Sequence, residues 1–288
     1  MKNFTIVTDP GIDDLIALLL LFELSPKSEN VLVSTFGNAP ERFTSQNAKE
    51  FIVFMANNWR FIHGSKEPLK PLKHSWPTYF HGPDGVWEIH PEVDIEKVYL
   101  LEDYPEDLHV ISLGPMTDVY KMQKKIKIKQ ITIMGGAFNV GGNETQYAET
   151  NIAFDPDAAA KFFHHCNGND IKIVPLDVTT KVFWTKEQIL DASEKLPYQK
   201  WAKRLLLTWF QQYGDKKQMN FELHDPLAVY LTFYPQLAKW TSSGVEVVTK
   251  GSRRGQTVLS RFNPKCKIAV DIIDSQGLAL RLYKKVFM

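Results

Sequence analysis

The chain has 288 residues, of which 44% are hydrophobic, and it can bury one large core or two modest ones. Its formal net charge of +1 at pH 7 gives no general electrostatic reason to expect nucleic acid or an acidic membrane as a partner. The longest unbroken apolar run, residues 15–22, is far shorter than the roughly 20 residues that span a bilayer. The cysteines are Cys166 and Cys266, which predicts unpaired thiols in a reducing compartment. Since no signal peptide precedes the first apolar run, we expect a cytoplasmic protein.

Short apolar runs alternate with helical patterns along the chain. Residues 4–7 predict a first strand and residues 15–22 a first helix. Further buried strands are predicted at 31–35, 110–113, 130–134 and 171–175, and further helices at 41–57, 157–165 and 198–213. Three later runs, 245–248, 257–260 and 267–272, predict a mixed sheet edge or a small extra hairpin. The alternation predicts an α/β fold, with residues 1–288 as one domain and an open, largely parallel sheet covered by helices on both faces.

Three carboxylates crowd the predicted turn between the first strand and the first helix. Asp9 follows the strand, and Pro10 and Gly11 make the turn. Asp13 and Asp14 open the helix, where free backbone N–H groups favour negative charge. Carboxylates this close repel one another in a partly dry cleft, and residues 4–24 contain no Lys or Arg. The cluster predicts a site for a hard divalent cation such as Ca²⁺ or Mg²⁺, although a helix cap and a turn residue would give the same local pattern.

Polar residues also follow the later strands. In parallel sheets, ligands bind outside the carboxyl ends of the strands, where Asn38 and Gly114 are both predicted to lie. Asn38 by itself would be a turn residue. The long segment 135–154 carries Asn143, Glu149 and Asn151, whose side chains can hold sugar hydroxyls without any positive charge. From the segment alone, solvated loop residues are an equally good interpretation.

The segment Asp9-Pro10-Gly11-Ile12-Asp13-Asp14 resembles the signature of the nucleoside hydrolases. Further matches follow in the family's order: Gly37-Asn38, His81-Gly82-Pro83-Asp84-Gly85, Leu113-Gly114-Pro115-Met116-Thr117, Met134-Gly135-Gly136, Asn143, Ala148-Glu149-Thr150-Asn151, Leu176-Asp177-Val178-Thr179 and His224-Asp225-Pro226. Each is weak alone, but an ordered set over most of the chain is specific. The resemblance implies a nucleoside hydrolase-like fold, calcium-dependent hydrolysis of the N-glycosidic bond of ribonucleosides, and a homodimer or homotetramer.

The resemblance further implies which residues bind the metal and carry the reaction. Asp9, Asp14, Asp225 and the backbone carbonyl of Leu113 would bind Ca²⁺. Asp9 would also accept a proton from the calcium-bound water that attacks the anomeric carbon. His224 would protonate the leaving base or donate a hydrogen bond to it.

The remaining matches would contact the small-molecule substrate, a ribonucleoside. Asp13, Asn38 and Asn151 would bind the 2′- and 3′-hydroxyls, while Asn143 and Glu149 would bind the 5′-hydroxyl. The other two contacts would be Met134, packed under the sugar, and His81, beside the base. Having both His81 and His224 resembles the permissive inosine–uridine type. Residues 209–213 would form an aromatic wall for the base or ordinary helix core.

Three positions depart from the family pattern. Val7 stands where an Asp is usual, so we expect loss of a hydrogen bond that orients the Asp9 loop. Asp118 stands where Asn is common, and Trp87 replaces a Gly beside the predicted base site.

Two other functions stay open: a catalytically silent nucleoside-binding relative, and a metal-dependent phosphatase. The retained Asp9 and His224 argue against the first, and motif segments without Lys or Arg argue against the second.

Overall fold

The computed structural model describes residues 2–71, 75–106, 108–166 and 170–288. The strands are β1 Thr5–Thr8, β2 Val31–Ser34, β3 Arg60–His63, β4 Leu108–Ser112, β5 Ile128–Met134, β6 Asp170–Val174, β7 Phe183–Trp184, β8 Phe221–Glu222, β9 Ala238–Val247, β10 Thr257–Ser260 and β11 Cys266–Ile272. The α-helices are α1 Ile12–Leu24, α2 Glu41–Met55, α3 Thr78–His81, α4 Thr117–Lys125, α5 Thr150–Phe154, α6 Pro156–His165, α7 Leu176–Thr179, α8 Lys186–Leu190, α9 Pro197–Trp209, α10 Asp215–Lys217, α11 His224–Phe233 and α12 Ser275–Phe287. A π-helical turn, Phe210–Gly214, continues α9, and short 3₁₀ helices occur at Ile95–Lys97 and Pro235–Leu237.

The main sheet has nine strands in the order β10-β9-β11-β6-β5-β4-β1-β2-β3. From β3 to β11 all neighbours are parallel, whereas β9 runs antiparallel to both β11 and β10. The predicted fold class, an open and largely parallel sheet that is mixed at one edge, is confirmed. A separate two-stranded ribbon joins β7 to β8.

Alternating side chains divide the core between the two faces of the sheet. Ile6 of β1 lies in the apolar cluster that includes α1, α11 and α12, while its neighbour Val7 lies in the cluster that includes α4 and α6. This alternation is the two-residue period of a strand buried on both faces. Because α1 packs against α11 and α12, its residues 12–21 are all buried, which explains the unbroken apolar run from Leu15 to Phe22.

Several predicted bounds are corrected by the structure. The last turn predicted for α9 is a π-helical turn, and the segment predicted as loop up to residue 154 ends in α5. Strand β9 begins at Ala238, well before the predicted run at 245. Strand β3 escaped prediction because it is an edge strand of the sheet, where only two of its four residues are buried. Within the parts of the chain that the structure describes, no helix has both the length and the apolar character needed to cross a membrane.

Candidate active site

The parallel pairing of four central strands brings the predicted site residues to one edge of the sheet. β1 lies between β2 and β4, and β5 lies beside β4, all parallel, so their carboxyl ends meet. Apart from Asp9 and Asp14, the predicted site residues all line a single cleft there: Asp13, Asn38, His81, Leu113, Met134, Asn143, Glu149, Asn151, His224 and Asp225. Asp9 and Asp14 are fully buried, and the charge of each acts on the neighbouring carboxylates.

A larger apolar groove lies at the opposite ends of the strands. Phe4, Leu24 and Phe233 line it, and no Asp, Glu or His lines it among the described residues. It therefore lacks the groups needed for acid–base or metal chemistry. The chemistry points to the smaller cleft, where carboxylates and histidines converge.

Asp13, Asp14 and Asp225 form the centre of a carboxylate cluster. Each offers one oxygen, and these oxygens lie within 4.8 Å of one another. One calcium ion holds oxygen ligands at about 2.3–2.6 Å, so opposite ligands around it can be about 5 Å apart. The cluster could therefore hold a metal ion, and its donors are all oxygens, which suit a hard cation.

The Asp9 carboxylate is oriented on one side and unpaired on the other. Its Oδ2 accepts a hydrogen bond from the backbone N–H of Asn38 at 2.8 Å. Its Oδ1 is buried without a hydrogen-bond partner among the described residues, and so is Oδ1 of Asp13. A buried carboxylate oxygen left unpaired is costly, so both atoms fit the role of cation or substrate ligands.

Asp14 is fixed by three donors from its own turn and the next one. Thr8 donates its hydroxyl to Oδ1, while the backbone N–H of Gly11 at 3.0 Å and the amide of Asn38 at 2.8 Å donate to Oδ2. The Leu113 carbonyl accepts the amide N–H of Asn151 at 2.6 Å. These bonds orient the predicted metal ligands from the protein side.

Burial and mutual repulsion make the cluster a poor place for uncompensated negative charge. Burial, followed by the charge of Asp14, raises the pKa of Asp9 and of Asp225 well above the usual range. Burial, followed by the charge of Asp13, raises the pKa of Asp14 to about 7. No Lys or Arg lines the cleft in the described chain. A bound cation would relieve this repulsion.

Glu149 ties the sugar side of the cleft together. Its Oε1 accepts the backbone N–H of Asn151 at 2.8 Å, and its Oε2 accepts those of Gly136 at 3.0 Å and Ile152 at 3.2 Å. It therefore caps α5 and joins that helix to the end of β5. Nearby, Asn143 Oδ1 accepts both the backbone N–H and the hydroxyl of Thr150, which leaves its amide group as the donor for a ligand.

His81 is a neutral histidine with a defined tautomer. Its Nδ1 accepts the backbone N–H of Ile12 at 3.3 Å, so the ring proton is on Nε2. Burial lowers the pKa of His81 to about 4, even though the charge of Asp13 acts in the other direction. His81 can therefore donate a hydrogen bond near pH 7 but carries no positive charge.

His224 is held on both ring nitrogens. Its Nδ1 is 2.7 Å from the hydroxyl of Thr179, and its Nε2 is 3.2 Å from a carboxylate oxygen of Glu222. Burial would lower the pKa of His224, but the hydrogen bond and charge of Glu222, together with the charges of Asp13 and Glu149, raise it. His224 is thus the better proton donor of the two cleft histidines.

Sequence reasoning missed Tyr79 and Glu222, which line the cleft, and Thr179, which contacts His224, whereas it had offered residues 209–213 as a possible aromatic wall. Tyr79 and Tyr213 both line the cleft, with ring centroids 5.9 Å apart, while Trp209 is fully buried core. Of the two interpretations of residues 209–213, the position of Tyr213 fits the aromatic wall and that of Trp209 fits helix core. Thr179 belongs to a motif that matched the family, but the match assigned no role to it. Nothing in the sequence pointed to Glu222.

The structure shows the contacts made at the three positions that depart from the family pattern. Val7 packs in the apolar cluster below the sheet edge, and the Asp9 loop is oriented by the Asn38 backbone. Asp118 accepts the backbone N–H of Ser65 at 2.9 Å and its hydroxyl at 2.8 Å. Trp87 donates its indole N–H to the carbonyl of Phe80, next to His81, and so supports that wall of the cleft.

Residues 4–279 match the family described as inosine-uridine preferring nucleoside hydrolase. The chain is 30% identical over 284 residues to "Probable uridine nucleosidase 2" of Oryza sativa subsp. japonica, covering 89% of this chain and 81% of that protein. It is 29% identical over 271 residues to a non-specific ribonucleoside hydrolase of Salmonella paratyphi A, covering 88% of this chain and 86% of that protein.

Solved structures agree on the fold. A plant nucleoside hydrolase, PpNRh1, is 25% identical with a TM-score of 0.84 and covers 99% of both chains. A purine-preferring ribonucleoside hydrolase from Gardnerella vaginalis is 22% identical and has the same TM-score of 0.84 over 99% of this chain and 98% of that one, which shows the fold alone. The resemblance seen in the sequence is confirmed by a match over nearly the whole chain, and this protein belongs to the inosine-uridine preferring nucleoside hydrolase family, as an enzyme of the N-ribohydrolase class.

Proposed function

We propose that this enzyme hydrolyses the N-glycosidic bond of ribonucleosides in a calcium-dependent reaction that releases ribose and the free base. The observation that carries the proposal is the buried carboxylate cluster beside the cleft that also holds His224, where Oδ1 of Asp9 finds no hydrogen-bond partner among the described residues. One end of the cleft is suited to a cation and a polyhydroxylated sugar, and the other to a base.

Asp9, Asp14 and Asp225, together with the Leu113 carbonyl, would hold the calcium ion. Their donors are oxygens only, and their repulsion is uncompensated by any Lys or Arg of the cleft in the described chain. When bound, the ion would supply positive charge that lowers the pKa of water and polarises ribose hydroxyls.

Asp9 would accept the proton of the attacking water, because it is buried beside the site and keeps one oxygen free of hydrogen bonds among the described residues. Asp13, Asn38 and Asn151 would hold the 2′- and 3′-hydroxyls. The amide groups of Asn38 and Asn151 already donate to protein oxygens, so their amide oxygens would accept from the sugar. Fixing the ribose in this way can lower the barrier by about 7–11 kcal/mol in favourable cases.

Charge development in the reaction fits the two ends of the cleft. Positive charge grows on the ribosyl ring as the bond breaks, and the surrounding carboxylates favour it. Negative charge grows on the departing base, where His224 would donate a proton. Asn143 and Glu149 would hold the 5′-hydroxyl, and Met134 would pack under the sugar ring.

The proposal is tested by measuring free ribose and inorganic phosphate from a nucleoside and nucleotide panel, with metal-depleted protein and after calcium is added back. Calcium-dependent ribose release from nucleosides supports it. Phosphate release would identify a phosphatase, and calorimetric nucleoside binding without ribose release would identify a silent binding relative.

Asp9→Asn should lose at least the 10²–10⁴-fold in turnover that a proton acceptor contributes, because it removes both that group and a ligand charge. Calorimetric titration with calcium should show weakened binding in the same variant. Exposed Asp191 provides the matched control, since Asp191→Asn should change neither quantity. Near-wild-type ribose release by calcium-loaded Asp9→Asn would overturn the assigned role of Asp9.

A further inference from the structure

We infer that Thr179 and Glu222 are positioning residues for His224, holding its ring so that Nδ1 faces the protein interior and the proton-bearing Nε2 faces the leaving base. The inference rests on the proposed function, in which His224 donates a proton to the base. It adds which ring nitrogen acts and what holds it there.

Thr179 fixes the inner side of the ring. Its hydroxyl lies 2.7 Å from His224 Nδ1, and the residue is fully buried. The backbone of α7 is fastened to the sheet edge, because Leu176 donates its N–H to the Gly136 carbonyl at 3.0 Å. A substrate in the cleft cannot reach Nδ1 past this contact, so Nδ1 is excluded as the donor to the base.

Glu222 fixes the outer side of the ring. One carboxylate oxygen lies 3.2 Å from Nε2, and the side chain is 29% exposed, so it stands at the rim of the cleft. Its backbone is held by the β7–β8 ribbon, in which Glu222 pairs with Phe183. Glu222 and Tyr213 line the same cleft, and the charge of Glu222, after burial, raises the pKa of Tyr213.

The two positioning residues belong to one backbone unit. Val182 donates its N–H to the Thr179 carbonyl at 3.2 Å, and its own carbonyl accepts the N–H of Leu223 at 2.9 Å. Thr179 and Glu222 are thus held at a set spacing on either side of His224. A catalytic ring oriented by a further group on its far nitrogen is a common arrangement in enzymes that use His as a proton donor or acceptor.

Hydrogen-bond chemistry decides where the proton lies. A carboxylate only accepts, so the Nε2 that faces Glu222 must carry a hydrogen. A threonine hydroxyl can donate or accept, so Thr179 can satisfy Nδ1 whether or not that nitrogen is protonated. The pair therefore keeps an Nε2–H in the cleft in either state of the ring, where an arriving base can take the place of Glu222 as its acceptor.

The test compares a nucleoside that the wild type cleaves with 4-nitrophenyl riboside, whose leaving group departs without protonation. Thr179→Val keeps the shape of the side chain but removes the hydroxyl, and Thr179→Ser keeps the hydroxyl. We expect Thr179→Val to lower the ratio of nucleoside to nitrophenyl turnover by about 10–100-fold, the usual cost of losing an orienting partner. Thr179→Ser should stay within a few-fold of the wild-type ratio.

Glu222→Ala provides a second variant at the cleft rim, where substitution is tolerated more easily than in the core. It should lower the same ratio, and Glu222→Gln, which keeps an acceptor oxygen, should lower it less. A wild-type ratio in both Thr179→Val and Glu222→Ala overturns the inference. Equal losses on both substrates also overturn it, since these would indicate structural damage.

His224→Ala separates this inference from the proposed function. If His224→Ala leaves the substrate ratio unchanged, His224 is no proton donor and that part of the proposed function fails. If His224→Ala lowers the ratio while the Thr179 and Glu222 variants do not, the proposed function stands and only the positioning role is wrong.

Discussion

At the scale of single residues, the position of the Asp9 carboxylate depends on two glycines that lie against it, Gly37 and Gly114. A Cβ placed on Gly37 would lie 1.9 Å from Asp9 Oδ2, and one placed on Gly114 would lie 2.4 Å from Asp9 Oδ1. Both glycines follow strand ends of the sheet, β2 and β4. They let two backbone turns approach the carboxylate from opposite sides, which no other residue type would allow.

Gly114→Ala should displace the Asp9 carboxylate. The new methyl group would lie between Asp9 Oδ1 at 2.4 Å and Thr35 Cγ2 at 3.0 Å, so it could not move away from one without approaching the other. We expect turnover to fall at least 100-fold and calcium affinity to weaken, while the circular dichroism spectrum is kept. Gly141→Ala is the matched control, since its Cβ would meet only the Gln146 carbonyl at 3.6 Å. Equal activity of the two variants would contradict the crowding argument.

The two cleft histidines show how the surroundings of a residue decide its chemistry. Burial gives His81 a pKa of about 4, whereas Glu222 raises the pKa of His224 despite burial. Identical side chains in one cleft are thus divided into a neutral hydrogen-bond donor and a better proton donor. Among the carboxylates that raise the pKa of His224, Glu222 has the largest effect, and it is the one that the sequence did not mark.

At the scale of elements, the segment after α3 is clamped to α2 by a histidine between two carboxylates. His90 Nδ1 lies 2.7 Å from Glu50 of α2, and Nε2 lies 2.9 Å from Asp84. Asp84 also accepts the backbone N–H groups of Val86 and Glu88. These contacts stabilise a strained turn in which Trp87 and Glu88 have φ of 51° and 59°.

The His90 clamp should make stability depend on pH. Hydrogen bonds to Asp84 and then Glu50 raise the pKa of His90 from 6.5 to about 10. A pKa raised by folding adds stability that is full below the unfolded value, declines above it and is lost as the pH passes the folded value. The melting-temperature difference between wild type and His90→Gln should therefore be large at pH 6, smaller at pH 8.5 and absent above about pH 10.

Thermal melts of metal-depleted protein over this pH range check the prediction. His164→Gln, which removes an exposed histidine, serves as the control. A His90→Gln difference that stays constant from pH 6 to pH 10 would show that packing, and not the ion pair, holds this segment.

At the scale of the whole molecule, the proposed cation site joins distant parts of the chain. Asp9 and Asp14 flank the turn after β1, whereas Asp225 lies in the first turn of α11, a helix more than 200 residues later in the chain that packs on α1. Their carboxylates repel one another across this junction. Bound cation should therefore stabilise the packing of α1 against α11 as well as the active site.

Asp225→Asn should invert the order of melting temperatures. Without metal it should melt above the wild type, because one buried repulsive charge is removed. With calcium at 100 times the wild-type dissociation constant, the wild type should gain about 2.7 kcal/mol, or several degrees, and the variant much less. Equal calcium shifts in both proteins would exclude Asp225 from the site.

The sequence by itself determined five of the strands of the parallel sheet, β1, β2, β4, β5 and β6, and which residues lie at the carboxyl ends of those strands. Strand β2 at Val31–Ser34 and strand β6 at Asp170–Val174 lie within a residue of their predicted bounds, because short runs rich in β-branched residues favour a buried strand. The acidic turn after β1 was readable because its pattern is local. The ordered motifs then identified the family, and the cleft collects the residues that those motifs marked.

Only the tertiary structure decided the relations between distant residues. One such relation is the order of the strands, with β3 at an edge. Another is the placement of Trp209 in the core and of Tyr213 in the cleft. Both depend on which surfaces meet, and the periodicity of the sequence carries no information about that. The contact of Glu222 with His224 depends on a two-residue ribbon too short to leave a pattern. Burial lowers the pKa of His81, whereas neighbouring carboxylates raise the pKa of His224, and both effects arise only when the chain is folded.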